Sequence, residues 1–282
     1  MNNEAPPEKV NEDIEIRLLL EAIFLKYGYD FRNYAMAHLK RRILRRLALS
    51  GLTSVAEMLH RLLEDHFFFE QILLDLSISV TEMFRDPGFY LAVRNEVIPL
   101  LKTYPFLKIW HAGCATGEEV YSMAILLKEE GLYNRAQIYA TDFNEVILRQ
   151  AREAIYPLEA IKAYTENYQK SGGRQSFADY YTADDDSVIL DQTLQEKIIF
   201  ADHNLVTDGV FGEMHLIVCR NVLIYFNREL QGRAVKLFFD SLRPGGFLCL
   251  GTKESLRFTG HEHLFDPIVQ EFRIFQKKMF MA

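Results

Sequence analysis

Apolar positions recur at helical spacing through the first quarter of the chain. From residue 12 to about 75 every segment reads as helix. Leu18, Leu19, Ala22, Ile23 and Phe24 form one stripe, and Gly28 ends it as a C-terminal helix glycine does. Leu39, Ile43 and Leu47 repeat every fourth residue, so a second helix can bury that line while its arginines stay wet. Ser50-Gly51 closes this helix, and Thr53 reads as the N-cap of a third, with Glu57 in its early turns. The apolar run Phe67 to Leu76 completes a small bundle.

Beyond about residue 106 the period changes. Short apolar, β-rich runs alternate with helical stretches: 106–111, 137–141, 197–201, 215–219 and 246–251. Strands of that length separated by helices predict a parallel sheet covered on both faces, hence an α/β fold. The run 271–277 can add an edge strand. Between the second and third strands, residues 164–196 carry Ser171-Gly172-Gly173, an aromatic piece and Asp184-Asp185-Asp186. This stretch reads as a small inserted β-subdomain. The expected organisation is a helical domain over 1–78, a linker and connecting helix over 79–105, and an α/β domain over 106–282.

Composition narrows the classes. At 282 residues, with 49% hydrophobic and 25% charged residues, the chain falls in the ordinary globular range. The leader Met1 to Glu8 is polar and acidic and lacks a secretory pattern, and no run of about eighteen apolar residues exists. A cytoplasmic protein without membrane insertion is expected. Cys114, Cys219 and Cys249 have no CxxC spacing, which argues against a zinc site and a disulfide framework. A net charge of −7 disfavours non-specific nucleic-acid binding.

Candidate chemistry gathers at the strand ends. The first strand runs into Ala112-Gly113-Cys114-Ala115-Thr116-Gly117-Glu118-Glu119, where Gly113 and Gly117 allow backbone to approach a ligand closely. The second ends in Thr141-Asp142, where an acid can accept hydrogen bonds from both hydroxyls of a ribose. A dinucleotide would require G-x-G-x-x-G and a helix entrance open to pyrophosphate. This turn is G-x-x-x-G followed by two carboxylates, which repel pyrophosphate and suit a ligand carrying sulfonium and ammonium groups. Placement of acids at a helix N-terminus without any ligand is the competing explanation. Asn204-Leu205 and Asn221-Val222, past the third and fourth strands, converge on the same strand-tip region.

Four motifs in order carry a resemblance: Ser79-Val80-Thr81-Glu82-Met83-Phe84-Arg85-Asp86, Cys114 to Ser122, Ala140-Thr141-Asp142, and Cys219 to Phe226. With them the chain resembles the CheR-type chemoreceptor glutamate O-methyltransferases over nearly its whole length. The resemblance implies a Rossmann-like class I methyltransferase sheet with an N-terminal helical domain and a small inserted β-subdomain. It implies that S-adenosylmethionine is held by Ser79 (where the family usually carries Asn), Thr81, Arg85, Glu118, Asp142, Asn204, Leu205, Asn221 and Val222. The product is then S-adenosylhomocysteine.

Methyl transfer to a carboxylate requires alignment and exclusion of water rather than a base, because the nucleophile is already ionised. No catalytic dyad and no metal are expected, and His111 and His203 read as structural. Arg85 is the candidate to orient a carboxylate, of substrate or of cofactor, since a guanidinium holds one in a fixed plane. A salt bridge to Asp86 is the competing role. Tyr225 can position the substrate or the sulfonium, or serve as a core tyrosine.

Within a helix over about 34–50, Arg42, Arg45 and Arg46 lie on one face with Lys40 and Arg41 nearby, a basic stripe that suits an acidic helical partner. In the resembled family this helix faces the cytoplasmic methylation helices of a chemoreceptor, and in some relatives the insert anchors a receptor tail. A solvated helix face is the competing explanation for the charge run. Two other functions compete with protein-glutamate methylation. One is a small-molecule methyltransferase, disfavoured by the basic helix. The other is a non-catalytic module binding acidic receptor helices, disfavoured by the presence of Arg85 and Asp142.

Overall fold

A computed structural model describes residues 7–77 and 81–279. The chain divides into two compact units: residues 1–78 together with Tyr225–Leu230, and residues 79–224 together with 231–282.

The first unit is a bundle of α1 (Pro7–Tyr27), α2 (Met36–Ser50), α3 (Val55–Glu64) and α4 (His66–Leu76). Gly28 and Gly51, at φ 80° and 67°, end α1 and α2 in the left-handed conformation that glycine adopts without strain. Ile16, Leu19, Leu20, Ile23, Leu39, Ile43, Met58, Leu62, Phe68 and Ile72 fill its interior. The N-cap of α3 is Ser54 rather than Thr53: the Ser54 hydroxyl accepts from Glu57 N at 3.2 Å. Glu57 reaches back to accept from Thr53 N at 2.7 Å, so Thr53 meets the Glu57 carboxylate rather than capping the helix itself. The segment 225–230 joins this unit through Ala35 N donating to Tyr225 O at 2.8 Å and Asn227 N donating to Asn33 O at 3.1 Å.

The second unit opens with α5 (Pro87–Ala92) and α6 (Ile98–Leu101), joined by a π-helical turn, and continues into a seven-stranded sheet. The strands are β1 (Leu107–Ala112), β2 (Ala136–Asp142), β6 (Ile198–Asp202), β7 (Met214–Cys219), β8 (Leu242–Leu250), β9 (Phe265–Val269) and β10 (Ile274–Lys277). Their order is β6-β2-β1-β7-β8-β10-β9, with β6 through β8 mutually parallel and β10 antiparallel to both neighbours. Helices α7 (Glu118–Glu129), α8 (Glu145–Glu153) and α10 (Arg228–Ser241) lie in the crossovers. This is the Rossmann-like class I arrangement. Both faces of β1 are covered, so Leu107, Ile109, Trp110 and His111 are all fully buried.

Three details differ from the sequence reading. The run 271–277 supplies β10, which lies one strand in; the edge is β9. That strand holds Pro267 and exposes three of its five residues, so it carries no alternating signal. The inserted sheet, β3 (Ile155–Pro157), β5 (Ser187–Leu190) and β4 (Tyr181–Ala183), begins before residue 164 and encloses helix α9 (Ile161–Lys170). A three-residue strand ending in proline is too short to show a period. The predicted strand 246–251 starts earlier, because Leu242–Gly246 already lies within β8, where Gly245 takes φ 75° beside a register shift.

Candidate functional site

In an open parallel sheet, ligands bind outside the carboxyl ends of the strands where the connection direction reverses. Here the chain runs outward from β1 to β2 and β6, then returns to β7, so the reversal falls between β1 and β7. The residues leaving these two tips meet. A Cβ added to Gly113 (φ 76°) would stand 2.6 Å from Val222 Cγ2. Gly113 N and Cys114 N donate to Thr141 O at 2.8 and 2.9 Å, which ties the glycine turn to the end of β2.

Asp142 closes β2 and is 8% exposed. Its Oδ2 accepts from Ala115 N and its Oδ1 from Asn144 N, each at 3.1 Å, so it spans the turn and the start of α8. Burial pushes its pKa up to about 6, against the opposing pull of those backbone donors. Glu118 opens α7 at 5% exposure and accepts from Thr116 Oγ1 at 2.7 Å. Burial pushes it up to about 7, with Thr116 and Tyr164 stabilising the charge. Two buried carboxylates thus stand at the turn, and among the described residues no cationic side chain is paired with either, an environment complementary to a cationic ligand.

The neighbouring Glu119 does something else. Its Oε1 lies 3.1 Å from His111 Nδ1, and its Oε2 accepts from Arg220 Nη1 at 3.1 Å. Burial raises the Glu119 pKa, but the His111 hydrogen bond and the Arg220 charge outweigh it, leaving the group below its ordinary range. The sequence reading grouped both glutamates against pyrophosphate. Only Glu118 is available for that role, because Glu119 is committed to Arg220.

Arg220 lies inside the fourth motif, but the sequence reading gave it no role of its own. Its side chain is 1% exposed, Nη2 donates to Asp86 Oδ2 at 2.6 Å, and Nη1 also reaches Arg85 O at 3.3 Å. Its guanidinium lies 4.1 Å from the centroid of Phe89. One side chain therefore joins the β7 tip, α7 and the turn carrying Arg85. Asp86 pairs with Arg220. Phe84 and Asp86 both have positive φ, 51° and 57°, and Phe84 N is fixed by Ser122 Oγ at 2.9 Å.

Glu254 was also missed. Buried at 4% exposure, it accepts from Gly251 N at 2.5 Å, Asn221 N at 3.1 Å and Ile224 N at 3.3 Å. It thereby shapes the turn on which Asn221 (φ 62°) and Val222 sit. Asn204 caps its own turn, with Oδ1 accepting from Val206 N at 2.9 Å, and Leu205 is buried beside it. Thr81, Arg85, Gly113, Gly117, Glu118, Asp142, Asn204, Leu205, Asn221 and Val222 all lie in the second unit, whereas Ser79 falls outside the described residues. His111 and His203 are buried and packed into the protein interior. Among the described residues, no group of three or more His, Cys, Asp or Glu could hold a metal.

Tyr225 and the basic helix belong to the first unit. The Tyr225 ring stands edge-on to His38, with centroids 5.6 Å apart. The five cations of α2 divide. Lys40 pairs with Glu12 and Asp13 at 2.6 Å each. Arg42 Nη1 donates to Asp75 O at 2.6 Å, and Arg46 pairs with the Asp75 carboxylate and with Gln71 Oε1 at 3.1 Å. Only Arg41 and Arg45 are exposed, and neither makes a hydrogen bond or ion pair among the described residues. Acids from other helices supply the compensation that the local sequence lacks. Among the described residues, no helix is long and apolar enough to cross a membrane.

Comparison with known proteins agrees with this geometry. The family model "CheR methyltransferase, SAM binding domain" matches residues 79–273, and "CheR methyltransferase, all-alpha domain" matches 14–77. A Pseudomonas putida protein provisionally named methyltransferase Cher3 is 55% identical, over 95% of this chain and 98% of that one. The chemotaxis protein methyltransferase of Listeria innocua is 31% identical, over 81% of this chain and 85% of its own. The enzyme of that name from Salmonella typhimurium is 25% identical, over 93% and 88%.

Proposed function

The chain belongs to the CheR methyltransferase family, and from that premise we propose that it methylates glutamate side chains on acidic cytoplasmic helices of a chemoreceptor. It is an S-adenosylmethionine-dependent methyltransferase. One observation carries the reading: the two buried, cation-seeking carboxylates Glu118 and Asp142 stand at the switch point of a sheet whose helical companion presents Arg41 and Arg45.

Glu118, Asp142, Asn204, Leu205, Asn221 and Val222 are the residues to hold the cofactor, with Thr81, Arg85 and Ser79 from the preceding segment. The turn fits such a group: Gly113 lets backbone lie where any side chain would strike Val222. When bound, S-adenosylmethionine supplies a methyl group activated by its sulfonium. No metal is required for this chemistry. Transfer of that methyl to a glutamate oxygen would exchange the carbon–sulfur bond for a carbon–oxygen bond and leave the electron pair on sulfur. No proton moves, so the protein's part is to align and to exclude water. Arg85 is proposed to hold a carboxylate in plane. Tyr225, which follows the tip of β7 in the chain, is proposed to position the acceptor. The protein acts in the cytoplasm.

The test is methyl transfer from tritiated cofactor to purified receptor. Protein-bound label released as methanol by mild base supports the proposal. Label in small molecules only, or receptor binding without label, contradicts it.

A further inference from the structure

Two tyrosines of the inserted segment reach the turn that carries Glu118. Tyr156, in β3, is 4% exposed and held in register opposite Val188. Its hydroxyl donates to Thr116 O at 2.8 Å and lies 3.3 Å from the point where a Cβ on Gly117 would stand. Thr116 in turn donates its own hydroxyl to Glu118 Oε2 at 2.7 Å. Tyr164, in α9, is 5% exposed, stacks edge-on to Tyr156 with centroids 6.3 Å apart, and faces the Glu118 carboxylate.

These contacts matter because Glu118 has little else to fix it. It follows Gly117, which enters α7 at φ 93° without a side-chain cap. A buried carboxylate with few donors reorients or takes up a proton. The hydroxyls of Thr116 and Tyr164 both favour the ionised form.

We infer that the inserted segment completes the cofactor site, with Tyr156 (through Thr116) and Tyr164 (directly) as positioning residues for the Glu118 carboxylate. The inference rests on the reading that Glu118 meets the cofactor. It gives the insertion a role in cofactor affinity that is independent of any partner it docks. Gly117 then serves a second purpose, since a side chain there would crowd the Tyr156 hydroxyl.

The test is calorimetric titration with S-adenosylhomocysteine on wild type, Tyr156→Phe, Glu118→Gln and the double variant, each checked for fold by circular dichroism. Loss of one hydrogen bond predicts binding about fivefold to tenfold weaker in Tyr156→Phe. In the Glu118→Gln background the same substitution should change affinity less than about twofold, because its effect runs through Glu118. Equal losses in both backgrounds would reduce Tyr156 to a packing residue and overturn the inference, as would wild-type affinity in Tyr156→Phe. If Tyr156→Phe does not fold, Tyr164→Phe takes its place in the cycle under the same criteria. A wild type that ignores S-adenosylhomocysteine would instead defeat the underlying reading.

Discussion

Arg220 Nη1 lies 3.1 Å from Glu119 Oε2, and this one contact separates two adjacent glutamates into different roles. With its charge matched by Arg220 and its other oxygen held beside His111 Nδ1, Glu119 becomes part of the frame. Glu118 has no such partner and keeps a raised pKa at the strand tips. Because the same guanidinium holds Asp86 and the Arg85 carbonyl, the frame also sets the segment that precedes α5.

Removing Arg220 should therefore cost more than one hydrogen bond. Arg220→Met leaves Glu119 buried without its cation and is expected to lower stability by about 3–5 kcal/mol. Arg220→Met/Glu119→Gln should recover part of that loss, because the stranded charge is gone. Urea denaturation of wild type, the two single variants and the double variant measures both values. Additive losses would contradict the pairing.

The carboxylate of Glu118 makes stability and binding respond oppositely to pH. Its folded pKa, near 7, lies above the ordinary glutamate value, so the folded state is favoured at low pH and loses that advantage as pH rises through about 7. Glu118→Gln should gain stability relative to wild type between pH 5 and pH 8, by up to about 3 kcal/mol. Binding of a cationic cofactor needs the ionised form, so wild-type affinity should rise over the same window and level off above it. In Glu118→Gln that rise should shrink to the step contributed by Asp142, near pH 6. Melting curves and calorimetry across the range test the two halves separately. The groups facing Glu118 are Thr116, Tyr156 and Tyr164, none of which titrates there.

Gly113 tests the tightness of the turn. Gly113→Ala places a methyl 2.6 Å from Val222 Cγ2 at φ 76°, and should cost about 1–3 kcal/mol. Affinity for S-adenosylhomocysteine should fall with it, as Val222 is displaced. A variant with unchanged melting temperature and affinity would show that the turn yields freely.

The basic helix should split by function. Arg41→Glu and Arg45→Glu are exposed charge reversals, expected to raise KM for the receptor and weaken its salt dependence while kcat and stability hold. Arg46→Ala instead breaks the tie to Asp75 and Gln71 and should show its main effect in the melt. Steady-state kinetics at low and physiological salt distinguishes these outcomes.

Features set by local spacing were legible in the chain. The stripe Leu39–Ile43, the glycine stops at 28 and 51, the parallel strands and the acid ending β2 all follow from period and punctuation. The frame of the site was not, because its partners are distant in sequence: Arg220 meets residues 101 and 134 positions away. Glu254 reads as a surface acid until the fold brings three backbone donors to it. The insertion's start was hidden because Ile155-Tyr156-Pro157 looks like the tail of α8. Arg42, Arg45 and Arg46 share a face by spacing, yet Arg46 pairs with Asp75 and Lys40 with Glu12 and Asp13, which the local sequence hides because those acids lie on other helices.

The most direct measurement of the central claim is calorimetric titration of S-adenosylhomocysteine into wild type and Asp142→Ala. Wild type should bind in the micromolar range, roughly −8 kcal/mol. The variant, lacking a charged acceptor for two hydroxyls, should bind about a hundredfold more weakly or worse. Equal affinity in both proteins, or a wild type that binds a dinucleotide instead, would contradict the assignment of this strand-tip site.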